Sequence, residues 1–121
     1  MNLRKTLGDN AERSACRFLC RHGLELITAN YRCRRGELDL IMRDGDSLVF
    51  VEVRYRRSAE FGHASETISR TKQARIIHCA RCYLSRYKAW NEAARFDVVC
   101  IEGRSGEEQI EWLKNAFGAA N

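Results

Sequence analysis

Two short runs of this chain place acids where apolar residues are expected: Gly36-Glu37-Leu38-Asp39-Leu40-Ile41 and Phe50-Val51-Glu52-Val53-Arg54. Both runs read as strands, and a carboxylate buried without a partner is costly. Two such acids in neighbouring strands need a neutralising group. A divalent cation fits, because carboxylate oxygens are the hard ligands that Mg²⁺ prefers. Side chains alternate along a strand, so Glu37, Asp39 and Ile41 are expected to share a face, as are Leu48, Phe50, Glu52 and Arg54. If the turn at Asp44-Gly45-Asp46 holds an even number of residues, Asp39 falls opposite Phe50 or Glu52, with its Cβ about 5–8 Å from that of Glu52. An odd turn or a bulge would separate the two acids. Glu12 is a third candidate, since it precedes Ala15 and Leu19 at helical spacing and borders an apolar face. Its simpler reading is a first-turn glutamate that favours the helix dipole.

The elements that must position these acids follow from periodicity. Residues 9–22 carry Ala11, Ala15, Phe18, Leu19 and His22 at helical spacing, with Asp9 or Asn10 to cap the start and Gly23 to close the end. Residues 24–31 read as a short mixed strand, and 36–43 with 47–54 as a hairpin. A loop containing Gly62 follows. Residues 66–88 read as a long helix with Ile68, Ile76, Ala80, Tyr83 and Leu84 inside. Residues 95–101 form a buried strand and 109–113 an edge strand. The order α-β-β-β-α-β-β predicts an α/β fold, a mixed β-sheet flanked by helices. The chain has 121 residues and no proline, repeat or linker, so one domain over 1–121 is expected.

Charge narrows the partners. Residues 1–88 hold 18 Lys/Arg against 10 Asp/Glu, whereas residues 89–121 hold 3 against 6. A basic body points to a polyanion, and nucleic acid fits better than a membrane surface, because no segment joins a basic run to a strongly apolar helical face. No apolar run reaches membrane-spanning length. Met1-Asn2-Leu3-Arg4-Lys5-Thr6 has no apolar stretch behind it, so no secretory signal is read and a cytoplasmic location is expected. The six cysteines, Cys16, Cys20, Cys33, Cys79, Cys82 and Cys100, are then expected as reduced thiols. Cys79-x-x-Cys82 with the Cys16/Cys20 pair could in principle bind Zn²⁺. Both pairs fall on predicted helices beside apolar stripes, where cysteine as a small buried hydrophobe is the simpler explanation.

With these residues in place, the chain resembles a known family. Gly8-x-x-x-Glu12-x-x-Ala15, Asn30-x-Arg32, Gly36-Glu37-Leu38-Asp39-Leu40-Ile41, Phe50-Val51-Glu52-Val53-Arg54-x-Arg56, Phe61-Gly62, Lys72 and Arg95-Phe96-Asp97-Val98-Val99 look like the YraN family of uncharacterised bacterial proteins. That family is similar to Holliday junction resolvases and restriction enzymes of the PD-(D/E)xK superfamily. The resemblance implies a restriction-endonuclease-like fold and Mg²⁺- or Mn²⁺-dependent cleavage of DNA, branched or junction DNA included. It carries Asp39 onto the motif aspartate, Glu52 onto the second acid and Glu12 onto the helix-borne glutamate of the resolvase branch. Asp39, Glu52, the carbonyl of Val53 and Glu12 are the implied metal ligands. Arg54 stands where the superfamily usually has lysine. Arginine stays protonated and cannot act as a base, although it can stabilise negative charge in the transition state. Lys72 is the candidate to take over the lysine's task; its plain reading is an exposed helix lysine. Arg32, Arg34, Arg35, Arg56, Arg57, Arg70 and Arg75 are the implied phosphate contacts, which position nucleic acid without reading its sequence. A resolvase handles two strands, so a homodimer is an expectation of the resemblance and not of the residues.

A noncatalytic nucleic-acid-binding protein that keeps the nuclease fold is the alternative, favoured by Arg54. A third reading makes the acids structural, with Arg54 pairing Glu52 through a bidentate bond. Among other residues, Asp97 reads as structural, bonded to a backbone amide or an arginine. His22, His63 and His78 lie far apart in sequence, with no ligand spacing among them. Tyr31 and Tyr55 could stack on bases or simply cover a sheet edge, and Trp90 and Trp112 read as packing residues.

Overall fold

The first helix, α1 (Asn10–Arg21), stops where its sequence signal stands. Gly23 takes a φ of 95°. Its N–H donates to Cys20 O at 3.0 Å, and that of Leu24 to Leu19 O at 3.1 Å, a Schellman closure. The structure is a computed structural model that describes residues 10–56, 68–103 and 107–118.

The sheet has the order β1-β2-β3-β4-β5. Its strands are β1 (Glu25–Cys33), β2 (Gly36–Asp44), β3 (Ser47–Arg56), β4 (Ala93–Glu102) and β5 (Gln109–Phe117). β3 and β4 run parallel, joined across α2 (Arg70–Arg86), and the other neighbours are antiparallel. This is the mixed α/β order that the periodicity predicts. Among the described residues no helix is long and apolar enough to cross a membrane. The two helices cover opposite faces. Ala15 and Leu19 of α1 pack on Leu40, Met42, Val49, Val51, Val99 and Ile101. Ile76, Ala80 and Tyr83 of α2 pack on Leu38, Ile41, Leu48, Phe50 and Phe96.

Several boundaries differ from the sequence reading. α2 begins at Arg70, not 66, because Ser69 caps it: its side chain accepts from Lys72 N at 3.1 Å. Ile68 is buried just outside the helix. The loop around Gly62, with Phe61, His63 and Arg57, lies outside the described residues. β1 continues to Cys33 and meets β2 through a tight turn at Arg34-Arg35. β5 continues to Phe117 across a kink at Asn115, where φ is 53°. Asp97 explains that kink. The β4–β5 register shifts between Phe96 and Val98. The Asp97 carboxylate faces this break and accepts from Asn115 N at 2.9 Å, Trp112 Nε1 at 2.9 Å and Arg95 Nε at 3.0 Å. Arg95 in turn reaches Asp44 at 2.9 Å, tying the β2–β3 turn to β4.

Thiol chemistry and one packing assignment are corrected. Cys33 and Cys79 are disulfide-bonded, while Cys16, Cys20, Cys82 and Cys100 are free. Cys16 and Cys20 lie on α1 and Cys79 and Cys82 on α2, on opposite sides of the sheet, so the two pairs do not share an ion. Trp90 is 58% exposed rather than packed, whereas Trp112 packs edge-on against Phe18.

Candidate functional site

The β2–β3 hairpin closes with Asp44 paired to Ser47, leaving the two-residue loop Gly45-Asp46. Gly45 has a φ of 61°, the glycine-first pattern of a type II′ turn. The loop is therefore even. The pairs Ile41↔Phe50 and Leu40↔Val51 project Asp39 onto Glu52. The paired ladder ends at Leu40, and Asp39 replaces the next main-chain acceptor: its Oδ2 accepts from Val53 N at 2.8 Å.

Strict alternation along β2 fails at this point. Leu38 belongs to the α2 side and Leu40 to the α1 side, so the face changes across Asp39. The partner strand changes with it: Ala29 packs on the α1 side and Tyr31 on the α2 side. Between them Asn30 takes a φ of 54°. Residues Glu37, Asp39 and Ile41 are therefore not a simple row on one face. The twist leaves Asp39 at a fork between β2 and β3 that helices on both faces can reach.

Glu52 points to the α2 side of β3 and is 4% exposed. Lys72, in the first turn of α2, places Nζ 2.8 Å from Glu52 Oε2. Arg54 Nη1 is 3.8 Å from the same oxygen and makes no bidentate pair. From the other face, Glu12 of α1 brings a third carboxylate, one of whose oxygens is removed from solvent. Burial pushes the Asp39 carboxyl up to about 8, and the neighbouring Glu52 charge and the more distant Glu12 add to the rise. The Val53 amide opposes it.

The contrast with Asp97 is informative, because both sites bury acids on one sheet. Asp97 is fully surrounded by donors: a guanidinium, an indole N–H and a backbone amide. Asp39 instead stands against the Glu52 carboxyl and under the Glu12 charge, with one backbone amide donating to it, while Lys72 answers Glu52. Such a set holds a proton or a cation near neutral pH, and its oxygens are the hard donors that Mg²⁺ and Mn²⁺ take. The residues present therefore fit a divalent ion at Asp39 and Glu52.

The predicted phosphate contacts do not form one patch. Arg35 and Arg75 line one open cavity of about 510 Å³, together with Thr71, Ala74 and His78. Thr71, Ala74, Arg75 and His78 recur at helical i, i+3, i+4 and i+7 spacing, so this groove follows one face of α2. Gly36 lies against this stretch of α2, where a Cβ would sit 3.4 Å from the Arg75 Cβ, an ordinary contact. Arg34 and Arg70 are exposed. Arg32 is exposed but paired with Glu37 at 3.2 Å, and Arg56 turns to Glu102 at 3.9 Å. Tyr31 packs edge-on against Tyr83, so its ring is used internally. Tyr55 is half exposed and its hydroxyl donates to Gly103 O.

Sequence reasoning missed the Cys33–Cys79 bond and the approach of His78 to Cys82, whose Nε2 and Sγ lie 3.7 Å apart. The i, i+4 spacing of those two on α2 was the available signal.

Comparison with known proteins agrees with the motif resemblance. A protein of Nitrosococcus oceani is 51% identical over 111 residues, covering 91% of this chain and 90% of its own. One from Vibrio cholerae serotype O1 is 50% identical over 112 residues, 91% of this chain and 90% of its own. One from Pseudomonas syringae is 47% identical over 116 residues, 94% of each chain. All three are named UPF0102 protein. The family model matches residues 11–101, which span α1 through most of β4 and contain Glu12, Asp39, Glu52 and Lys72. The chain belongs to uncharacterised protein family UPF0102, the YraN family that its motifs resemble.

Proposed function

We propose that this protein is a Mg²⁺- or Mn²⁺-dependent nuclease that hydrolyses phosphodiester bonds in DNA, with branched or junction DNA as the preferred substrate class. The observation that carries the reading is the contact of the Asp39 and Glu52 carboxyls at the β2–β3 fork, with Lys72 2.8 Å from Glu52. Asp39 and Glu52 would hold the ion, with the Val53 carbonyl and Glu12 as further oxygen donors. Bound there, the ion supplies a water of lowered pKa and a Lewis acid for the phosphoryl oxygen.

The chain's own groups do the rest. Lys72 and Arg54 offset negative charge that develops on the phosphate. Only Lys72 can also exchange a proton, since Arg54 stays charged. The Val53 amide fixes the Asp39 carboxylate so that it does not rotate away from Glu52. Arg35 and Arg75, which line the open cavity on α2, would contact phosphates. Contacts of this kind follow backbone shape, which suits a junction better than a base sequence.

The noncatalytic alternative keeps one supporting observation, the arginine at position 54 in place of lysine. A cleavage assay on four-way junction, flap and linear duplex DNA with Mg²⁺ or Mn²⁺ separates the two. The nuclease reading expects cleavage that EDTA, Asp39→Ala and Glu52→Ala each abolish while DNA binding remains. Binding without cleavage of any substrate selects the alternative.

A further inference from the structure

At the tip of the β1–β2 hairpin, soft ligands gather that the carboxylate site does not use. Cys33 ends β1, and His78 and Cys82 share one face of α2. One ligand atom from each of the three lies within 4.8 Å of the others. Cys79, bonded to Cys33, precedes Cys82 by three residues on the same helix. We propose that the reduced chain binds one Zn²⁺ through Cys33, His78, Cys79 and Cys82, and that the Cys33–Cys79 disulfide is the zinc-free, oxidised form of this site.

The geometry suits a tetrahedral ion. Zn–S bonds of about 2.3 Å and Zn–N bonds of about 2.0 Å place a sulfur and a nitrogen ligand about 3.5 Å apart. His78 Nε2 and Cys82 Sγ already stand at 3.7 Å. Thiolate and imidazole are the donors that select zinc, and the hard carboxylate oxygens of Asp39 and Glu52 do not match this preference. Three thiolates and one neutral imidazole leave the zinc site with one net negative charge. Arg35 and Arg75 line the cavity that His78 also lines, so positive charge stands beside it. Gly36 at the hairpin tip already lies against Arg75 of α2, and the ion would pin the same two elements that the disulfide pins.

The exchange balances. A dithiol reductant gives two electrons and two protons to the Cys33–Cys79 bond and itself becomes a disulfide. Zn²⁺ then displaces three thiol protons, from Cys33, Cys79 and Cys82. In reverse, a peroxide or a disulfide accepts two electrons from the Cys33 and Cys79 thiolates. The S–S bond reforms, Zn²⁺ leaves and Cys82 regains a proton.

The full chain, loaded with Zn²⁺ under a dithiol and dialysed anaerobically against metal-free buffer, should retain one zinc per chain by elemental analysis. Oxidation with a small disulfide should release that zinc to a chromogenic chelator, with Cys33–Cys79 recovered by peptide mapping. Co²⁺ in place of zinc should give thiolate-to-cobalt charge-transfer and tetrahedral visible bands. Cys82→Ser and His78→Gln should each weaken Zn²⁺ binding at least about tenfold, while Cys16→Ser/Cys20→Ser and Asp39→Asn retain it. Circular dichroism checks each fold. If Cys82→Ser does not fold, His78→Gln and the wild-type cobalt spectrum decide. A reduced wild type that keeps no zinc, or zinc retention unchanged by both Cys82→Ser and His78→Gln, overturns the proposal.

Discussion

The Lys72 ammonium lies 2.8 Å from Oε2 of Glu52, a carboxylate that is only 4% exposed. Arg54, two residues from Glu52 on the same strand, is farther from that oxygen, at 3.8 Å. The close cation thus comes from a helix cap and not from the strand motif. Ser69 fixes the first turn of α2, and Lys72 projects from that turn onto the sheet. An ammonium from α2 thus stands closer to Glu52 than the guanidinium of its own strand.

Lys72→Met should abolish metal-dependent cleavage while Mn²⁺ binding remains. It should also cost about 1–2 kcal/mol of metal-free stability, less than a fully buried pair because Lys72 is 45% exposed. Arg54→Lys should keep the fold and raise any weak cleavage. Single-turnover rates and urea melts of both variants check this. Full activity in Lys72→Met, with loss of cleavage in Arg54→Lys, would assign the work to the arginine fork.

The Asp39 carboxyl, normally near 3.8, is pushed up to about 8. A raised folded value stabilises the protonated form. That contribution is complete below the unfolded value and is lost as pH rises through about 8. The metal-free melting temperature should therefore fall as pH rises from about 5 to 8, and Asp39→Asn should flatten that slope. Metal binding displaces the same proton, so Mn²⁺ affinity should climb by up to about tenfold per pH unit in this window. Melts and Mn²⁺ titrations across the series test both signs.

DNA binding should weaken steeply with salt, because arginines that contact phosphates release counterions. Arg35→Ala/Arg75→Ala should lower affinity on every DNA sequence and reduce the salt slope by about 2. Binding isotherms at several salt concentrations give the slope. A slope unchanged by the double variant would place the DNA elsewhere than the groove on α2.

Asp97 serves stability. Its carboxylate is fully buried and accepts from Arg95, Trp112 and the Asn115 amide. Asp97→Ala should destabilise the protein by about 2–4 kcal/mol, because it leaves the Trp112 indole N–H and the Asn115 amide without their acceptor, while Arg95 keeps Asp44. Denaturant unfolding, with and without Mn²⁺, should show the same loss in both conditions.

What was legible in the sequence depended on local signals. Asp44-Gly45-Asp46 announced the hairpin, and its two-residue loop delivered the Asp39–Glu52 register. Gly23 marked the end of α1. Alternation was a poorer guide where the backbone departs from it. Asn30, with its left-handed φ, and the break at Asp39 switch the faces of two strands together, and neither has a residue-level marker as strong as a glycine. The extension of β5 was hidden for the same reason, since Asn115 kinks the strand and only the fold brings Asp97 to its amide. Lys72 on Glu52 and Cys33 on Cys79 join residues far apart in the chain, and no spacing rule predicts such pairs.

The most direct test of the carboxylate fork as a cation site is a set of four thermal melts: wild type and Asp39→Asn, each with EDTA and with Mn²⁺. Asparagine keeps the volume and can still accept from the Val53 amide, but it cannot take on the charge that Asp39 gains beside Glu52 as pH rises through about 8 or as metal displaces its proton. With EDTA the variant should be as stable as wild type or more so. Mn²⁺ should raise the wild-type melting temperature, following RT ln(1 + [L]/Kd), and raise that of the variant much less. A variant destabilised by about 1–3 kcal/mol with and without metal, beside a wild type that Mn²⁺ does not stabilise, would contradict the metal site and make Asp39 a structural acid.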